Sequence, residues 1–132
     1  MTLMACLAAA IFAGLAGLHL TYTLHDLFLR PRYFVPRDRT LLPAMQATQI
    51  ALAPNGRDYW SASLGFHMTH SIGLLLYALL IVLATATPLS GLRPLLIALG
   101  LALTLISWRC FFRVPTAGCA VASGLMIAAW VF

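Results

Sequence analysis

The chain contains no lysine and no glutamate, and only three aspartates carry negative charge among its 132 residues. Charged residues make up 8% of the sequence, against roughly 25% in a soluble domain. A water-facing surface cannot be assembled from so few charges. Paired-carboxylate acid/base sites and carboxylate-rich metal clusters also need more acidic groups than Asp26, Asp38 and Asp58 supply. The three cysteines, Cys6, Cys110 and Cys119, form no C-x-x-C pair, and their odd number argues against a disulfide framework. Each lies in apolar sequence, where cysteine acts as a small hydrophobe. Phosphate-cradling glycine loops, G-x-S-x-G, H-E-x-x-H and C-x-x-C-H are all missing. His67-Met68-Thr69-His70 has two histidines but no glutamate, so it is not a zinc protease motif.

What the chain does have is hydrocarbon, at 62% hydrophobic residues. Four apolar runs cover about 3–25, 60–84, 92–112 and 117–132, and a spanning helix takes about 20 residues. The expected fold is therefore all-α, an integral membrane four-transmembrane-helix bundle forming a single domain over 1–132. The first run carries small residues at Ala8, Ala9 and Ala10. No basic residue precedes it and it is long enough to span, so it is expected to be a retained helix rather than a signal peptide.

The polar connection at 26–59 contains Pro31, Pro36 and Pro54, which favour extended or turning chain. Within it a short interfacial helix is expected over 40–53, capped by Thr40, with Pro43 in its first turn and Leu41, Met45 and Leu52 near one face. Tyr59 and Trp60 suit the headgroup level at the entry to the second span. Pro88 and Gly91 mark one turn; Arg113, Pro115 and Thr116 mark the next. In an even bundle, Arg30, Arg32, Arg37, Arg39, Arg57, Arg109 and Arg113 share a side, opposite Arg93 alone. The positive-inside rule then makes that side cytoplasmic and places both termini outside, in a bacterial inner membrane. The net charge of +5 fits arginines facing the cytoplasm and anionic lipid rather than nucleic acid. Gly14 and Gly17, Gly65 and Gly73, and Gly118, Ala122 and Gly124 are expected to permit close helix approach.

Histidine is the informative residue type. His19 and His25 fall near the cytoplasmic end of the first span, and His67 and His70 near the same end of the second. At 1.5 Å rise per residue, His19 lies roughly 10 Å inside Asp26 and His67 roughly 10 Å inside Trp60, so His19, His67 and His70 can meet at one depth. Tyr22, Thr23, Thr69 and Ser71 add hydroxyls. Three readings stand side by side. Facing imidazoles from His19, His67 and His70 could bind a haem, a chlorophyll-type pigment or a metal. Alternatively they tie helices together by hydrogen bonds, or carry protons. Asp26 and Arg109 form a possible ion pair at the cytoplasmic edge. Arg30, Arg32, Arg37 and Arg39 are candidates for contact with anionic headgroups or an acidic protein partner.

His19-Leu20-Thr21-Tyr22-Thr23, Arg37-Asp38, Met45 and Gly65-Phe66-His67-Met68-Thr69-His70-Ser71-Ile72-Gly73 resemble a family of small uncharacterised bacterial four-helix membrane proteins. The resemblance covers the first two spans and their connection, about half of the chain. It implies the four-helix architecture, and asparagine where this chain has His67, which leaves His19 and His70 as the pair carrying any shared role. Three functions follow as expectations. The first is a non-catalytic accessory subunit of a respiratory or photosynthetic membrane complex, packed against other subunits and lipids. The second is a His-ligated redox protein, and the third a small enzyme or transporter acting on lipid or quinone.

Overall fold

The computed structural model describes residues 2–87 and 89–131; Met1, the expected turn residue Pro88 and Phe132 at the end of the expected fourth span lie outside them. The described chain is helical: α1 (Thr2–Phe28), α2 (Leu41–Ala47), α3 (Tyr59–Ala86), α4 (Arg93–Cys110) and α5 (Arg113–Trp130), with a 3-10 turn at Ser90–Leu92. Among the described residues an isolated antiparallel bridge, Gln49 with Asp58, is the extent of β structure.

Among the described residues, three helices are long and apolar enough to cross a membrane: Leu3–Phe28, Tyr59–Ala86 and Arg93–Cys110. In their most apolar stretches only 28%, 33% and 17% of residues are buried within the chain, so most of these side chains need hydrocarbon from outside. This is the pattern of a membrane protein. Three crossings, rather than the four expected, stand on length and apolarity alone.

The helix ends follow local chemistry. The first helix runs past 25 to Phe28 because nothing interrupts it until Pro31, which disfavours helix at Arg30; the Leu29 amide closes the last turn on the His25 carbonyl at 2.9 Å. The turn expected at Arg113, Pro115 and Thr116 is instead the first turn of α5. Proline fits there because first-turn amides have no helical partner to lose, so the link from α4 shrinks to Phe111 and Phe112. The helix expected over 40–53 is seven residues long and buries none of them, and Leu52 sits beyond it in a turn. Thr40 does not cap it; its hydroxyl and amide both donate to Asp38, at 2.7 and 3.0 Å.

The chain divides into two compact units. Unit one, residues 1–16 and 73–132, holds the apolar core. Ala5, Ala8, Phe12 and Ala16 line one face of α1, and Cys119, Ala122, Met126 and Ala129 one face of α5, all buried. The three- and four-residue spacing is what a single helical stripe requires. Phe12 meets the Tyr77 ring edge-on at 4.8 Å, and the buried Tyr77 hydroxyl donates to the Leu96 carbonyl. The closest approach is at Gly100, where an added Cβ would fall 2.8 Å from each of Met126 Cε, Ser123 Oγ and Tyr77 Oη. Gly118 is similarly close to Leu15. By contrast Gly14, Gly17, Gly65, Gly73 and Gly124 have nothing within 4 Å of a Cβ, so the close packing expected of them does not occur within the chain. Thr104 with Ser123 (3.3 Å) and Ser107 with Cys119 (3.7 Å) show α4 and α5 running antiparallel along their length. Arg93 closes the far end, donating to the Ala84 carbonyl at 3.2 Å and lying 5.8 Å from the Trp130 ring.

Unit two, residues 17–72, has a different interior. Its buried residues are Thr23, Asp26, Trp60, Leu64 and Ser71, of which three are polar.

Candidate functional site

Two proline-free helical stretches and one loop build the site. His19 lies on α1 and His67 and His70 on α3, and the chain between them returns through residues 29–58. Thr23 and Ser71, both fully buried, donate their hydroxyls back to the carbonyls of His19 and His67 at 2.8 and 2.9 Å. Such i−4 bonds hide a hydroxyl without a partner from the facing helix. Thr69 does likewise, donating to the Phe66 carbonyl at 2.9 Å. The Thr23, Thr69 and Ser71 hydroxyls expected near the imidazoles are thus bonded to backbone.

The imidazoles then meet directly. His19 Nε2 and His67 Nδ1 are 3.1 Å apart, one donating and the other accepting. The His70 ring stands edge-on to His19 at 5.6 Å. Phe34 covers the pair, stacked on His67 at 4.2 Å and 21° and tilted against His19 at 4.9 Å.

Asp26 explains why Phe34 sits there. Its side chain is fully buried and accepts from three successive backbone amides: Arg32 at 2.9 Å, Tyr33 at 2.9 and 3.1 Å to the two oxygens, and Phe34 at 2.8 Å. Consecutive amides converging on one anion form a nest. Pro31 contributes no amide and fixes the chain just before it. The His25 ring adds a 3.4 Å contact. Asp26 is therefore satisfied by its own loop. Tyr33, placed by the same nest, stacks on Tyr22 at 4.3 Å and meets His25 edge-on at 5.0 Å, with the Arg32 guanidinium 5.4 Å from its ring.

The other two carboxylates cap the connection. Hydrogen bonds from the Thr40 hydroxyl and then its amide hold the Asp38 carboxyl below its ordinary range. The Ser61 amide and hydroxyl, at 2.9 and 2.7 Å, do the same for Asp58 and start α3. Beside it, the Tyr59 amide donates to the Thr48 carbonyl at 2.7 Å, closing the base of the 48–59 turn.

As folded, the His19 ring meets both the His67 and the His70 rings. A haem held between His19 and His70 would need a macrocycle-wide gap where the rings now meet, and His19 Nε2 is engaged by His67. Among the described residues no group of three or more His, Cys, Asp or Glu is placed to hold a metal, and none of the buried side-chain nitrogens and oxygens lacks a hydrogen-bond partner. The contacts join α1, α3 and the loop between them at this level. The sequence reading missed Phe34, Tyr33 and the nest. Its only written trace is a lone aspartate six residues before an amide-rich stretch that follows a proline. No family model, curated protein or solved structure matches the chain.

Proposed function

We propose that the chain is a non-catalytic accessory subunit of a larger complex in a bacterial inner membrane, with its histidine cluster acting as a helix tie. The observation that carries the reading is the set of glycines at 14, 17, 65, 73 and 124, each open to approach with nothing within 4 Å. In lipid, helices associate through close backbone contact and polar ties rather than hydrophobicity, so uncovered glycines on apolar helices are places where another helix gains contact. Bulky apolar side chains elsewhere on these helices, Leu18 at 57% and Phe66 at 68% exposed among them, add apolar surface that lipid or a partner covers.

A four-crossing topology belongs to this proposal. The remaining long helix, α5, pairs with α4 antiparallel from Ser107–Cys119 to Arg93–Trp130, so it shares the depth of α4. Its 18 residues reach about 27 Å, close to the hydrocarbon thickness of roughly 30 Å. Seven arginines then lie on the cytoplasmic side and one outside, with both termini outside.

Purification of the tagged chain from its native membrane in mild detergent tests the reading. Stoichiometric co-purifying membrane proteins are expected. Gly14→Leu and Gly65→Leu are expected to abolish co-purification while leaving the melting temperature unchanged. A chain that migrates only as a free monomer, or a complex indifferent to both substitutions, refutes it.

A further inference from the structure

The three carboxylates of unit two are all bonded to the chain's own amides and hydroxyls: Asp26 to residues 32–34, Asp38 to Thr40, Asp58 to Ser61. The one ion pair among the described residues is His25 with Asp26. Arg30, Arg32, Arg37, Arg39 and Arg57 are exposed and none is paired with a carboxylate. The segment carrying the first four is nevertheless not loose chain, since the Asp26 nest, the Tyr22–Tyr33 stack and the Phe34–His67 stack hold its start. Immediately before it, Phe28 and Leu29 at the end of α1 are 74% and 71% exposed. Hydrocarbon-seeking side chains thus give way within two residues to exposed arginines, the second of them on held backbone.

We infer that Arg30 and Arg32, with Phe28 and Leu29, form a docking site for an anionic phospholipid: the guanidinium groups take the headgroup phosphate, and the two apolar side chains take the start of its acyl chains. Guanidinium is the suited cation, because its planar fork engages phosphate oxygens in pairs where an ammonium acts as a point charge. The chain uses arginine at all eight of its basic positions. An acidic protein would satisfy the arginines but has no need of Phe28 and Leu29 beside them, whereas a phospholipid matches both the guanidinium groups and the adjoining apolar side chains, and so the lipid is favoured. This inference is independent of the accessory-subunit reading: it concerns the isolated chain in a bilayer.

The test uses full-length protein in nanodiscs of phosphatidylcholine with a minor fraction of spin-labelled phosphatidylglycerol or spin-labelled phosphatidylcholine. Electron paramagnetic resonance reads the immobilised fraction of each. Wild type is expected to immobilise phosphatidylglycerol preferentially, and the preference should fall with added salt. At about fivefold per arginine, Arg30→Gln with Arg32→Gln reduces it roughly 25-fold, while Arg30→Lys with Arg32→Lys retains part of it. Equal immobilisation of both lipids by wild type overturns the inference. So does a preference untouched in the glutamine variant while its helical circular dichroism is intact. If the glutamine variant does not fold, the lysine variant decides, and full retention of the preference in it refutes recognition by the guanidinium fork. Competition identifies the source: displacement of the lipid by inorganic phosphate at matched ionic strength, or by polyglutamate, overturns the lipid in favour of a free anion or an acidic protein.

Discussion

Replacing Asp26 by alanine removes the acceptor for three backbone amides at once. In the folded chain those amides lie 2.8–3.1 Å from the carboxylate, which itself is fully buried. Hydrogen bonds to a charged group contribute about 1.5–3 kcal/mol each, and a donor left unpaired costs about 1–3 kcal/mol. Tyr33 is 43% exposed, so the loop can turn its amides toward water instead of leaving them stranded. The net loss is therefore well below the sum, about 2–4 kcal/mol. Asp26→Asn keeps one acceptor oxygen and faces the other amides with an NH2 group; its cost should be about half as large. Two measurements on detergent-solubilised protein check this: thermal unfolding followed through Trp60, which is buried in unit two, and hydrogen exchange resolved at Arg32, Tyr33 and Phe34. The expected order of stability is wild type, then Asn, then Ala, with the three amides losing protection together. If these amides exchange at wild-type rates in the alanine variant, the nest is not what holds the loop and the reasoning fails.

Three further outcomes are expected. His67→Ala should cost about 0.6–2 kcal/mol in unfolding free energy by removing the His19 partner, while His67→Asn, which can still pair with His19, should cost less. Equal losses would show that ring stacking, rather than the hydrogen bond, is what matters. Gly100→Ala should destabilise by about 1–3 kcal/mol, because three neighbours must shift at once, whereas Gly14→Ala, with nothing within 4 Å of its Cβ, should be neutral in melts of the purified chain. Asp38 and Asp58 have carboxyls held below their ordinary range by Thr40 and Ser61. Their contribution is present above the unfolded carboxylate range and is lost as pH falls through the lowered folded value. Amide exchange at Thr40 and Ser61 should therefore rise below the ordinary carboxylate range, and Asp58→Asn should abolish that pH dependence at Ser61.

Much of the architecture is written in hydropathy. The apolar runs locate α1, α3 and α4 to within a few residues, because long helices in hydrocarbon have no alternative way to satisfy their backbone. The ends were harder. Pro115 looks like a turn residue, but proline is equally at home in a first helical turn, and only the chain's path to Arg113 distinguishes the two. Thr40 has the composition of a cap, yet Asp38 two residues earlier competes for the same hydroxyl and amide. The histidines were legible because four imidazoles in so apolar a chain have few places to go. The partner of Asp26 was not: a charge-pair rule looks for another side chain, whereas three backbone amides leave no residue-type signature. Gly100 carries no signal as a lone glycine in an apolar run, while the glycines at pairwise spacing are open, Gly118 excepted. Spacing reports which residues share a face; it does not report whether anything lies against that face.

The claim on which the account turns is that the site's imidazoles are bonded to each other as a helix tie. Nitrogen-15 magnetic resonance of histidine-labelled protein in lipid bilayers tests it directly. The account predicts a coupling across the hydrogen bond between His19 Nε2 and His67 Nδ1, one nitrogen protonated and the other not, lost in His67→Ala. Two uncoupled nitrogens, or shifts of the kind produced by metal ligation, would contradict it.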